Sequence, residues 1–111
     1  MAKGLYLAFT HPHSPETETE MNEWYSTLHL PEVLALDGIE SATRYRSIEH
    51  DSTYKYLAAY TLEGDLHAIV ARLHAEGPNR TPTSSTRKDP GADFRLFELL
   101  NSSGAGERFN D

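Results

Sequence analysis

With 111 residues, 10 Lys+Arg and 17 Asp+Glu, the chain has the length of one domain and a formal net charge of −7. That charge, with no basic cluster beyond Arg87-Lys88, disfavours nucleic acid and anionic membranes as partners and leaves a neutral or weakly polar small molecule as the expected one. The lack of cysteine excludes disulfides, thiolate metal sites and a cysteine nucleophile, and fits a reducing compartment.

No apolar run approaches the roughly 20 residues that cross a bilayer. The start Met1-Ala2-Lys3-Gly4 lacks the apolar stretch of a signal peptide, so a cytoplasmic location is expected. Residues 4–10 alternate, with Leu5, Leu7 and Phe9 on one face and Tyr6, Ala8 and Thr10 on the other, which predicts a first strand. His11-Pro12-His13-Ser14-Pro15 is a turn in which Ser14 can cap a helix and Pro15 can open it. Met21, Trp24, Tyr25 and Leu28 then recur at helical spacing and form one apolar stripe. Pro31 lacks an N–H and disfavours helical angles in its predecessor, so it should interrupt this helix and leave a short turn over residues 31–36.

Asp37-Gly38 ends that turn and residues 39–48 read as a second strand. His50-Asp51-Ser52 turns the chain into a third strand over 53–62, with Tyr54, Tyr56, Ala58, Tyr60 and Leu62 on one side and Lys55, Leu57, Ala59 and Thr61 on the other. Leu66, Ile69, Val70 and Leu73 mark a second helix, introduced by Glu63-Gly64-Asp65 and stopped by Gly77-Pro78. Residues 78–91, rich in Pro, Thr, Ser and charge, read as a long polar loop, either a mobile flap or disordered. A fourth strand over 92–100 completes a domain of residues 1–100, and 101–111 read as a polar tail.

This β-α-β-β-α-β order predicts an α+β, ferredoxin-like domain with two helices on one face of a four-stranded antiparallel sheet. Strands one and three are apolar on both sides. The face without helices therefore needs a cover, and a homodimer packed sheet against sheet is expected.

The segments Trp24-Tyr25-x3-His29-x-Pro31-Glu32, Leu36-x-Gly38-Ile39, Arg44-Tyr45 and Tyr56-Leu57-Ala58-Ala59-Tyr60 resemble the EthD-like branch of the dimeric α+β barrel superfamily. The likeness covers residues 4–62 by motif and the rest by element order. It implies a pocket between sheet and helices with a histidine near the end of helix one facing it, which here is His29. The superfamily includes cofactor-free monooxygenases, cyclases, dehydratases, muconolactone isomerases and members with no known activity, so the fold does not fix the reaction.

His29, four residues after Tyr25, is the expected acid/base, since an imidazole can take a proton from carbon or phenol and return it. The plainer alternative is a histidine that caps the broken helix. Glu32 could orient it, although a first-turn glutamate is more often solvated. Arg44 and Tyr45 point to opposite faces of strand two, so one of them at most enters a given pocket, as an anion binder or a phenolic donor. Trp24, Tyr25, Tyr6, Phe9, Tyr56, Tyr60 and Phe97 are candidate substrate-lining rings, each with core packing as the competing role.

His11-x-His13 is a weak metal motif because Pro12 breaks the strand, and no metal is expected. His67, His74 and His50 carry little. No phosphate loop or nucleophile elbow is present, so no cofactor is expected. The leading expectation is a cofactor-independent acid/base enzyme (lyase, isomerase, dehydratase or cyclase) for a small hydrophobic, oxygenated or aromatic, polyketide-like substrate. The alternatives are a cofactor-free monooxygenase and a non-catalytic, small-molecule-binding dimer.

Overall fold

The computed structural model describes residues 2–104. Four strands, β1 (Lys3–Thr10), β2 (Ile39–Arg46), β3 (Tyr56–Glu63) and β4 (Asp93–Glu98), form one antiparallel sheet in the order β2-β3-β1-β4. Strands two, three and four are shorter than their sequence patterns by two or three residues. Tyr54 therefore lies outside β3. Its ring packs 6.2 Å from Phe9 rather than joining the Tyr56 and Tyr60 row, because the chain has not yet entered the pleat that imposes alternation.

The helices cover one face of the sheet. That face presents Tyr6, Ala8, Tyr56, Ala58, Tyr60 and Leu62, all buried; against them pack Met21, Tyr25 and Val33 from the first helical segment and Leu66, Ile69 and Leu73 from the second. The second helical segment, α3 (Leu66–Ala75), starts where Asp65 Oδ1 accepts the Ala68 N–H at 3.1 Å, and a short 3-10 turn, Gly77–Asn79, follows it. It lies so close to β1 that a Cβ on Gly4 would sit 2.7 Å from Leu66 Cδ1.

The first helical segment departs from expectation at Pro31. After a 3-10 turn (Pro15–Thr17) and α1 (Glu18–Trp24), the chain makes a π-turn (Tyr25–His29) in which the Leu30 N–H donates to Tyr25 O, then runs directly into α2 (Leu30–Leu34). Leu30 keeps helical angles (φ −60°, ψ −45°), so Pro31 does not break the helix. A π-turn accommodates one extra residue and widens the backbone just ahead of the ring, where Pro31 has no N–H to offer and would otherwise crowd the preceding carbonyl.

This extra residue resets the apolar stripe. An α-helix turns once in about 3.6 residues, so Met21 and Tyr25 would be followed inward by Leu28. The π-turn delays the sequence by one position: Leu28 is 42% exposed, and Met21, Tyr25, His29 and Val33, each four apart, share the inner side. His29 occupies the place the regular helix would have given to leucine.

The loop at 80–91 is fastened along its length. Pro12 and Thr86 form an isolated bridge, and His13 N–H donates to Ser85 O at 2.7 Å and Arg87 N–H to His11 O at 2.8 Å. Arg87 Nη2 also donates to Thr53 O at 2.8 Å, and Tyr54 Oη to Gly91 O at 2.8 Å. Ser85 is completely buried despite the polar composition around it. Of the expected tail, 105–111 lie outside the described residues.

Gly38 turns the chain from α2 into β2 with φ +93°, and a Cβ there would sit 2.6 Å from Ile69 Cδ1. Gly38→Ala combines left-handed strain with a clash against α3. It should lower stability by roughly 1–3 kcal/mol, read as a fall of the urea midpoint with unchanged slope.

Candidate functional site

Three groups of side chains emerge from the residues singled out in the sequence. His29, Tyr6 and Tyr60 meet at a cavity of about 110 Å³ between sheet and helices, completed by His74, Arg80, Phe94 and apolar Ala8, Val33 and Leu73. Trp24 lies next to it, in a groove of about 350 Å³ whose walls include His29, Arg80 and residues 81–83. His29 and Arg80 border both spaces, so they form the partition between an inner hollow and an outer groove. Together the two reach the range of roughly 300–1,000 Å³ typical of small-molecule sites; the hollow alone does not.

The second group is Tyr25, Tyr56 and Arg44, beside the cavity but not on its wall. The Arg44 guanidinium lies 4.2 Å from the Tyr25 ring centroid and 4.8 Å from that of Tyr56, and Nη1 donates to Asn22 Oδ1 at 2.9 Å. Asn22 Nδ2 donates to Tyr56 Oη at 3.2 Å; Tyr56 in turn donates to Glu18, which pairs with Lys55 at 2.5 Å. Lys55 and Tyr56 hold the Glu18 carboxyl below its ordinary pKa. Arg44 Nε and Nη2 are buried without partners. This network ties β2 and β3 to α1 and stiffens the back of the site.

The third group lies on the other side of the sheet. Tyr45, Phe9 and Phe97 point to the face without helices, with Tyr45 56% and Phe97 54% exposed. Alternation requires this: Phe97 pairs with Leu5, one residue away from the Tyr6–Leu96 pair of the inner face. The sheet separates these three from His29, so they cannot share its pocket.

The His29 imidazole is held by rings. It stacks on Trp24 (centroids 4.3 Å apart, planes 18°) and meets Tyr25 edge-on at 5.1 Å. Nδ1 is buried without a hydrogen-bond partner, and the side chain caps no helix end. Glu32 does not orient it. Both carboxylate oxygens accept the Thr81 N–H at 3.1 Å and Oε2 also accepts Thr81 Oγ1 at 3.3 Å, while Trp24 Nε1 donates to Thr81 O at 3.0 Å. Burial, then the positive charge of Arg80, push the His29 pKa down to about 4; Glu32 opposes and Arg44 adds to the fall. The ring is therefore neutral at pH 7. With Nδ1 enclosed, Nε2 is the nitrogen open to a ligand.

Across the hollow, Tyr6 Oη and His74 Nε2 are 2.7 Å apart, and the Tyr6 ring stacks on Phe94 at 5.8 Å. Burial raises the phenol pKa of both Tyr6 and Tyr60, so both remain protonated hydrogen-bond donors. His74, Arg80 and Phe94 were not among the residues that sequence reasoning selected. The only advance signal was that His74 follows buried Leu73 on the border of the apolar stripe of α3. His11 is occupied otherwise, its Nδ1 accepting the Lys55 N–H at 3.1 Å, and among the described residues no three ligating side chains gather to hold a metal.

In the folded protein His29 resists protonation, so the sign of its linkage is fixed. Between about pH 6.5 and 4 the unfolded chain takes up a proton at this position and the folded chain does not; the contribution to stability is present above that window and lost within it as pH falls. The His29 ring resonances should titrate with a midpoint near 4 in an NMR series, and the acid-side loss of stability should be smaller in His29→Gln. A midpoint near 6.5 would mean that the ring is solvated.

No family model matches the sequence. Over 104 residues the chain is 24% identical to core atranone cluster (CAC) protein 1 of Stachybotrys chlorohalonatus, covering 89% of this chain and 44% of that protein. It thus spans less than half the length of this curated relative. Among solved structures it resembles a candidate monooxygenase of Shewanella loihica PV-4 (TM-score 0.61, 11% identity, 92% of this chain and 99% of the other). It also resembles an EthD family protein of Bacillus halodurans C-125 (TM-score 0.60, 13% identity, 90% and 100%). A third likeness is to a DABB family protein of Mesorhizobium loti MAFF303099 with a ferredoxin-like fold (TM-score 0.56, 11% identity, 93% and 100%). Strand order, helix placement and these likenesses agree, and the chain has a ferredoxin-like fold, as the Mesorhizobium protein does.

Proposed function

We propose that the chain is a cofactor-independent acid/base enzyme, a lyase, isomerase, dehydratase or cyclase acting on a small hydrophobic oxygenated compound. The observation that carries this reading is the convergence of His29, Tyr60 and the Tyr6–His74 pair on one cavity between sheet and helices. Neutral His29 accepts a proton through Nε2 from carbon beside a carbonyl, or from a hydroxyl. The developing oxygen charge takes hydrogen bonds from the Tyr60 or Tyr6 phenol, and His29 then gives the proton it took to the product, which restores the neutral imidazole. The apolar remainder of the wall limits water. The curated relative is by name a core atranone cluster protein, which fits small-molecule chemistry of this kind.

The name of the Shewanella relative supports a second reading, oxygenation without cofactor, in which the substrate carbanion formed at His29 reduces dioxygen. Oxygen uptake distinguishes the two. Under either reading His29→Gln should lower turnover by roughly 10²- to 10⁴-fold while the circular dichroism spectrum is retained. Turnover within a fewfold of the parent would remove His29 as the acid/base.

A second copy of the chain is the proposed cover of the outer sheet face, where Leu5, Tyr45 and Phe97 are exposed and Leu7, Phe9 and Leu57 are half-buried. Light scattering should return twice the chain mass. Leu57→Arg, which places a charge at the middle of that face, should return the mass of one chain and keep the fold.

A further inference from the structure

The whole chain is acidic, but the site is not. Neither the inner hollow nor the outer groove has an aspartate or glutamate on its wall, whereas Arg80 borders both. The ion pairs among the described residues are Lys3–Glu63, Lys55–Glu18 and Arg95–Asp93, and none involves Arg80. Glu32, the carboxylate whose charge reaches His29, is already engaged by the backbone N–H and hydroxyl of Thr81. Arg80 Nη2 donates to Leu73 O at 2.7 Å, which anchors the guanidinium at the end of α3 and fixes its position between the two spaces. A second guanidinium, Arg44, stands behind Tyr25 with two donor nitrogens unpaired. A fixed cation in a half-buried site without a counter-ion is a receptor for an anion.

We propose that this site takes a carboxylate-bearing ligand, its carboxylate paired with Arg80 at the partition and its apolar body seated among Tyr6, Tyr60 and Phe94. The proposal rests on the reading of the hollow as the substrate site and replaces the neutral ligand that whole-chain charge suggests. A carboxylate at Arg80 also offsets one of the positive charges that lower the His29 pKa.

Trp24, the only tryptophan of the chain, stacks on His29 and lines the groove, so its fluorescence reports occupancy. Cyclohexanecarboxylate and cyclohexanecarboxamide have the same shape and differ in charge, and neither absorbs where tryptophan does. In the unaltered chain the carboxylate should bind at least roughly tenfold more tightly than the amide, with an affinity that falls as salt rises. Arg80→Gln should abolish the difference and Arg80→Lys should keep part of it. Arg95→Gln, with the same change of net charge on the opposite sheet face, should leave the preference intact. Equal affinities in the unaltered chain, or a preference that survives Arg80→Gln, would overturn the anion assignment and leave the pocket standing. Failure of both compounds to bind would overturn the pocket reading and this inference together.

Discussion

The site depends on one backbone irregularity, the π-turn at Tyr25–His29. A regular helix would place Leu28 against the sheet and turn His29 aside; the extra residue reverses the two. Everything chemical follows from that exchange. His29 gains Trp24 as a stacking partner and Tyr25 as an edge, loses water around Nδ1, and comes to border both the hollow and the groove. A buried polar ring in place of leucine is unfavourable for packing, since Nδ1 has no hydrogen bond. The chain accepts that cost at a position where Pro31 already prevents regular helical bonding.

The electrostatics of the site run against those of the whole protein. A formal charge of −7 is spread over surfaces where Glu and Asp meet solvent, while Arg44 and Arg80 bracket a histidine on the helix-covered face. Arg44 is held by two aromatic faces and Asn22, an arrangement that fixes a guanidinium without neutralising it. Both cations therefore remain available to a ligand's field. Screening weakens surface charge over about 8 Å at physiological salt, so at the hollow it is the nearby, partly buried groups that set the local potential.

The strands and the second helix were legible in the sequence because their cause is local. Alternation in Leu5-Tyr6-Leu7-Ala8-Phe9 follows from the pleat, and the Leu66, Ile69, Leu73 spacing from the helical turn. Where the cause is not local, legibility ended. Pro31 announced a disturbance without saying whether the chain would break or widen, and only the packing of Val33 against the sheet selects the wide turn that keeps both sides of the proline helical. The Tyr6–His74 pair spans 68 residues and exists because α3 docks across β1. Arg80 was hidden within a polar stretch whose composition suggested no fixed position.

That stretch shows why composition misled. Ser, Thr and Pro cannot build a core, yet residues 80–91 need none, because the segment borrows order from what it crosses. Ser85 is buried under backbone bonds to His13 and the Thr17 hydroxyl, and its own N–H is taken by Thr83 Oγ1. Thr81 is gripped from both ends of the π-turn, by Trp24 before it and Glu32 after it. The turn that brings His29 inward therefore also supplies the two clamps that hold the strap over the groove. A change of register in that turn would move the histidine and loosen its cover together, because the same displaced residue sets the facing of Trp24 relative to Glu32. His29, the strap over it and Arg80 are thus coupled through one stretch of helix rather than assembled as independent parts.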